Sequence, residues 1–228
     1  AQGYSEPGAG SDLAGVQTRA RLDTETGEWV IDGQKVWTSW AHESDWIFVL
    51  ARCEPGSSRH KGLIFLLVPL KQSGITLRPI RQITGESEFN EVFFDGARTA
   101  STCVLGEPGQ GWGVAMYLLH CERGASTLGQ QAHFQNELST LIQVAQHNGA
   151  IKEPTIRQGL AKAILGLQTL RYHALRTCGD NAPPRASSIS KYAWSNWRRT
   201  LGELAMEVLG ADGEVASNDA HRTALQRL

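Results

Sequence analysis

Cysteine is scarce and unpaired in this chain: Cys53, Cys103, Cys121 and Cys178 are widely spaced and form no Cys-x-x-Cys pair. The spacing argues for buried, reduced thiols, points away from a metal site and gives a cytoplasmic expectation for localisation. Charge of one sign is also lacking. The 22 Lys and Arg against 23 Asp and Glu leave a formal net charge of −1, so nothing electrostatic calls for nucleic acid. Long apolar runs are missing too: the longest, residues 63–70, is broken by Pro69 and is far too short to span a bilayer as a helix. The chain begins at Ala1 without Met or a basic, apolar targeting stretch. It stops at Leu228 inside a helical pattern with no Gly or Pro stop signal, so a piece of a longer protein is expected.

What is present is ordinary for a globular protein of one or two domains: 228 residues, 41% hydrophobic and 20% charged. From Gly15 to about Phe94 the period is two. Residues 16–22, 29–31, 34–37, 46–52, 63–68, 75–80 and 91–94 are short runs rich in β-branched and aromatic side chains. Asp32-Gly33 reads as a two-residue hairpin turn, and Thr26-Gly27 does similar work one strand earlier. Strands at this spacing without intervening helices predict an antiparallel sandwich or barrel.

Beyond Gly109-Gln110-Gly111 the period becomes helical. A long helix is expected from about Trp112 to His147, closed by Asn148-Gly149, with a stripe through Val114, Leu118, Ala125, Leu128, Ala132, Leu138, Leu141 and Ala145. Glu153-Pro154 opens a second helix, with a stripe through Ile156, Leu160, Ile164, Leu167, Leu170 and Ala174, ended by Gly179. Ser187 or Ser188 caps a third, with Ile189, Trp197, Leu201, Leu204 and Val208 inward. Ser217, Asn218 or Asp219 caps a fourth. The expected fold is α+β and multidomain: a β domain over 1–105, then an antiparallel helical bundle over 106–228.

Three stretches carry candidate chemistry. Ser5-Glu6-Pro7-Gly8-Ala9-Gly10-Ser11-Asp12 is a glycine-rich loop whose N–H and hydroxyl groups can bind phosphate, ribityl or carbonyl oxygens, and it reads equally as a surface turn. Trp37-Thr38-Ser39 at a strand end offers a flat aromatic and two hydroxyls, or simply a buried Trp. Glu122-Arg123 in the long helix reads as a solvated face, or as a carboxylate that Met116-Tyr117-Leu118-Leu119 and Gly124-Ala125 shield from water.

In this order, with Gly33-Gln34-Lys35-Val36-Trp37-Thr38-Ser39 second and Gly106 to Trp112 leading into the helix, the blocks resemble the acyl-CoA dehydrogenase family. The resemblance implies FAD as cofactor, contacted by Gln2, Tyr4, Ser5, Trp37, Thr38 and Ser39, although Gln2 stands where many members carry an aromatic. It implies that Ser11 and Arg123 contact acyl-CoA and that Glu122 is the catalytic base. Other members carry the base on a loop after the last helices. The implied reaction is α,β-dehydrogenation of an acyl-CoA thioester to the 2-enoyl-CoA, with an electron-transfer flavoprotein-like acceptor and a homodimeric or homotetrameric assembly. The same architecture serves acyl-CoA oxidases, flavin monooxygenases and non-catalytic subunits of heteromeric dehydrogenases.

Overall fold

The computed structural model describes residues 1–177, 186–215 and 218–226, with the side chains of 123–128 and 186–188 left aside. The chain divides into two compact units, Ala1–Leu118 and Leu119–Leu228.

Seven strands among the described residues build the first unit: β1 Gln2–Gly3, β2 Arg19–Asp23, β3 Glu28–Ser39, β4 Trp46–Arg52, β5 Leu63–Pro69, β6 Ile75–Ile80 and β7 Phe89–Ala100. They form one sheet in the order β1-β4-β2-β3-β7-β6, with β5 on the other side of β4. The pairings β2–β3, β3–β7, β4–β5 and β6–β7 are antiparallel, whereas β1 and β2 each run parallel to β4. The sheet is therefore mixed at β4, a departure from the all-antiparallel expectation. Its core joins Ile31, Ile47, Val49, Ile64, Leu66, Val68 and Val92. β5 is buried on both faces from Leu63 through Leu66, each such side chain contributing about 1.5–3 kcal/mol.

Thr26-Gly27 turns as expected: Asp23 faces Glu28 and Gly27 takes a φ of 72°. The second expected hairpin does not exist. Asp32-Gly33 lies inside the unbroken strand β3, and the irregularity sits on β7 instead, where one step from Ile31 to Asp32 is matched by two from Ala97 to Asp95. Gly96 takes the positive φ, 69°, and its N–H donates to Asp32 Oδ1 at 2.8 Å. Glycine is required at 33 on two counts, the first being its own φ of 148°, a region L side chains rarely adopt. A Cβ there would also lie 2.7 Å from Thr18 Cα, so the residue permits a close backbone approach rather than a turn.

The helices are α1 Gly111–His147, α2 Pro154–Thr177, α3 Ala186–Leu209 and α4 Ala220–Gln226. The boundary between the units falls within α1. In the second unit Phe134, Leu138, Leu141 and Ala145 of α1 pack with Ile156, Leu160, Ala163 and Leu167 of α2 and Leu201, Leu204, Ala205 and Val208 of α3. Ala163 is buried where Ile164 was expected, because Trp197 packs closely on α2, donating its indole N–H to the Ala163 carbonyl at 2.9 Å and lying against Gly166. Ser190 likewise replaces Ile189 inside, 3.1 Å from His173 Nε2. Ala132 is exposed, off the observed stripe of α1. Gly149, at φ 82°, follows α1, and Asp219 caps α4 by accepting the Arg222 N–H at 2.8 Å. The expectations at Ala125, Leu128, Cys178, Gly179, Ser187, Ser188 and Ser217 lie outside the described residues or side chains. Cys121, expected buried, is exposed on α1. Among the described residues no helix is long and apolar enough to cross a membrane, and no three His, Cys, Asp or Glu side chains are grouped to hold a metal ion.

Candidate functional site

The end of β3 is bent by a bulge. Three steps from Lys35 to Thr38 are matched by two from Val92 to Asn90 on β7, and Trp37 carries the extra residue at φ 60°. A left-handed Trp is a costly conformation that persists only where its surroundings hold it. The bulge turns the Trp37 side chain outward, 59% exposed, with its ring edge-on to Phe89 at 6.0 Å. Thr38 is turned inward, and its buried Oγ1 finds no hydrogen-bond partner among the described residues. An aromatic face held open beside an unsatisfied hydroxyl is an arrangement a flat, polar-edged ligand completes.

Behind Thr38 stands a polar brace. Asn90 is fully buried, and its Nδ2 donates to the carbonyls of Thr38 at 3.1 Å and Glu88 at 3.3 Å. The same amide meets His42, whose Nδ1 lies 3.2 Å from Asn90 Oδ1 and 3.1 Å from Nδ2. Trp40, the residue after Ser39, is a second left-handed Trp, at φ 55° and 51% exposed. Ser39 is half-buried at the strand end.

The first loop meets this strand directly. The Val36 N–H donates to the Ser5 carbonyl at 2.9 Å, and Lys35 Nζ donates to the Tyr4 carbonyl at 2.9 Å. Tyr4 and Ser5 thus lie beside the bulge, but the Tyr4 side chain is committed to the core. Its ring packs edge-on against Phe48 and Phe65, and its hydroxyl donates to the Ala115 carbonyl at 3.4 Å. Gln2 is exposed on β1, and Ser11 is exposed on the loop.

Under the loop lies an ion pair, Lys35 Nζ to Glu6 Oε1 at 2.8 Å, with the lysine side chain fully buried and the glutamate nearly so. Burial pushes the Lys35 ammonium down to about 8, outweighing the attraction and hydrogen bond of Glu6. For Glu6, burial pushes upward, but the Lys35 charge and the donors from Lys35, Thr18 and Gln17 together hold the carboxyl below its ordinary range.

Glu122 lies on α1 with an exposed side chain. Of the apolar neighbours expected to shield it, Met116 and Tyr117 are exposed and Leu118 and Leu119 partly buried, while the side chains at 124 and 125 lie outside those described. The Arg123 side chain lies outside those described. Sequence reasoning missed Lys35, Glu6, Asn90, His42 and Trp40. The available signal was Lys35 in the middle of a strand, where a lysine must either reach solvent or be paired.

Residues 1–97 match the family model for the acyl-CoA dehydrogenase middle domain, and residues 109–228 match that for the C-terminal domain. The chain is 57% identical over 214 residues to the acyl-CoA dehydrogenase IpdE1 of Mycobacterium tuberculosis, covering 93% of this chain and 55% of that protein. It is 30% identical over 230 residues to the human mitochondrial short-chain specific acyl-CoA dehydrogenase, covering 96% of this chain and 55% of that protein. Among solved structures it resembles the Tcur3481-Tcur3483 steroid ACAD with a TM-score of 0.87 at 27% identity, over 99% of this chain and 60% of that one. The ChsE4-ChsE5 complex of Mycobacterium tuberculosis gives 0.84 at 27%, over 99% and 61%. The chain spans about half the length of the curated relatives it matches. Matched by family models along nearly all of its length, and by relatives of this identity, the chain belongs to the acyl-CoA dehydrogenase family.

Proposed function

We propose that the protein of which this chain is part is an FAD-dependent acyl-CoA dehydrogenase that converts an acyl-CoA thioester to the 2-enoyl-CoA. The observation that carries the reading is the buried, unpartnered Thr38 Oγ1 beside the outward-turned Trp37. These residues fit a flavin: Trp37 would hold it by stacking, and the Thr38 hydroxyl would supply a hydrogen bond that the protein leaves unused. Tyr4 would contribute through its main chain, Ser5 and Ser39 through main chain and hydroxyl, and Gln2 from β1. When bound, FAD supplies the acceptor for the β hydrogen and its electron pair.

The rest of the chemistry falls to the chain's own residues. A carboxylate oxygen of Glu122 takes the α proton as the Cα–Cβ double bond forms, and Ser11 and Arg123 hold the acyl-CoA. The thioester α proton is a weak acid, so the base works only when it is held within hydrogen-bond reach and kept from bulk water. Since Glu122 is exposed in this chain, the bound acyl-CoA must supply part of that cover. The expected electron acceptor is a separate electron-transfer flavoprotein-like carrier.

The apolar side chains exposed on α2 and α3, among them Leu165, Tyr172, Leu175, Ile189 and Tyr192, support association into a homodimer or homotetramer. The two-chain names of the Tcur3481-Tcur3483 and ChsE4-ChsE5 structures favour a second reading, assembly with a different family subunit. The mass of the purified protein in solution separates the two.

The test is anaerobic mixing of the yellow, full-length protein with acyl-CoA. Glu122→Gln retains FAD but slows bleaching by about 10²–10⁴. Bleaching within about threefold of wild type, under 1 kcal/mol in the barrier, removes Glu122 as the base.

A further inference from the structure

Resting on the flavin reading above, we infer that the buried Lys35–Glu6 pair is the positioning element that ties the acyl-CoA loop to the flavin strand, so that the two are set by one contact. Lys35 spends all three ammonium protons inside the unit, on Glu6 Oε1 at 2.8 Å, the Tyr4 carbonyl at 2.9 Å and the Leu50 carbonyl at 2.7 Å. It joins β3 and β4 to the segment entering the loop, and it sits two residues before Trp37.

Glu6 works in the other direction. Its Oε2 accepts the Gln17 N–H at 2.6 Å, and its Oε1 accepts the Thr18 N–H at 3.0 Å. One carboxylate therefore closes the loop 6–18 at its base, and Ser11 is carried at its far end. Within the loop, Glu6 and Ala9 exchange two main-chain hydrogen bonds at 2.9 and 3.1 Å, which fixes the turn through Pro7-Gly8. On the other side, the Val36–Ser5 bond fastens the loop's entry to the residue just before Trp37.

A buried ion pair is a poor device for stability alone, because desolvating two charges offsets much of their attraction and apolar replacements are often as stable. What it supplies is geometry. Three charge-assisted donors on a rigid strand, one meeting a carboxylate that is itself held by two loop amides and two meeting main-chain carbonyls, leave that loop one position relative to β3.

Glu6→Gln alone strands a buried ammonium, so the informative variant is Lys35→Met with Glu6→Gln, which removes both charges and keeps an amide oxygen for one of the two loop N–H groups that Glu6 holds. Full-length apoprotein is titrated with FAD, and cooperative unfolding is followed in parallel by circular dichroism. The expected result is a folded variant that binds FAD at least tenfold more weakly than wild type. At saturating FAD, its KM for acyl-CoA should rise more than its kcat falls, and its visible flavin spectrum should shift toward that of free FAD. A variant that affects fold alone would not move KM and spectrum together at saturating cofactor.

Hydrogen exchange on the wild type gives a second measurement that needs no variant. Because the pair links the sites, adding FAD should slow exchange at the Gln17 and Thr18 amides, both remote from Trp37 in sequence. A variant holding FAD within threefold of wild type, or Gln17 and Thr18 amides indifferent to FAD, overturns the inference while leaving the flavin reading intact. A wild-type protein that takes up no FAD overturns both.

Discussion

Replacing Thr38 by Val should push apoprotein stability and cofactor affinity in opposite directions. Val matches Thr in shape and β-branching, so strand preference and χ1 are preserved. The main-chain brace from Asn90 Nδ2 to the Thr38 carbonyl at 3.1 Å does not depend on the side chain. The only group lost is Oγ1, buried and unpartnered among the described residues. An unsatisfied buried hydroxyl costs about 1–3 kcal/mol, so the apoprotein should gain about 1–2 kcal/mol, read as a melting temperature higher by about 3–6 °C. With FAD bound the sign reverses. The lost hydrogen bond is worth about 0.5–1.5 kcal/mol, a Kd for FAD weaker by about 2- to 13-fold. Differential scanning fluorimetry of the apoprotein and a fluorescence titration with FAD measure the two sides. A lower apoprotein melting temperature, or an unchanged Kd, would refute the assignment of Oγ1 to the ligand.

Gly33→Ala should cost on the order of 2–4 kcal/mol in thermal unfolding, since the new Cβ would lie 2.7 Å from Thr18 Cα at a residue whose φ is +148°; a loss below about 0.5 kcal/mol would mean β3 and the Thr18 segment can separate freely there. The Lys35–Glu6 pair predicts a pH signature. With the native Lys35 near 8 and an ordinary lysine at 10.5, the unfolded chain binds more protons between those values. Stability relative to the Lys35→Met, Glu6→Gln variant should therefore rise with pH across that window, by on the order of a few kcal/mol, and be flat just below it. Glu6, held below its ordinary range, acts at the other end: its stabilisation is present above the ordinary carboxylate pKa and fades as pH falls. A difference curve that falls between pH 8 and 10 would contradict the Lys35 assignment.

Much of the fold was legible because its signals are local. The period of two marked the strands, and Thr26-Gly27, Asn148-Gly149, Glu153-Pro154 and Asp219 marked real turns and helix ends. Asp32-Gly33 misled because a glycine with positive φ can serve a close approach inside a strand as well as a turn, and only the neighbouring Thr18 backbone, 15 residues away in sequence, tells the two apart. The helix stripes slipped by one at Ile164 and Ile189 because a partner's side chain, Trp197 or His173, decided which neighbour turned inward. At the candidate site, motif residues announced themselves while the residues holding them did not. Lys35, Glu6 and the Asn90 bond to the Thr38 carbonyl act through contacts 11 to 52 residues apart in sequence, which short windows along the chain do not reveal.

The strand β5 has a consequence outside the folded molecule. Leu63-Ile64-Phe65-Leu66-Leu67-Val68 is an uncharged window of high β propensity, and inside the sheet its first four residues are wholly enclosed. While the chain is being made, that window emerges well before β7 and α1 exist to cover it. Such a segment, left bare, pairs with its own copies. The flanking residues are of the kind that discourages this, with Lys61 before it and Pro69 and Lys71 after it. Substitutions at those three positions should leave the folded protein almost unchanged and still send much of the product into inclusion bodies. Yield on overproduction would then be decided by residues that form no part of the site.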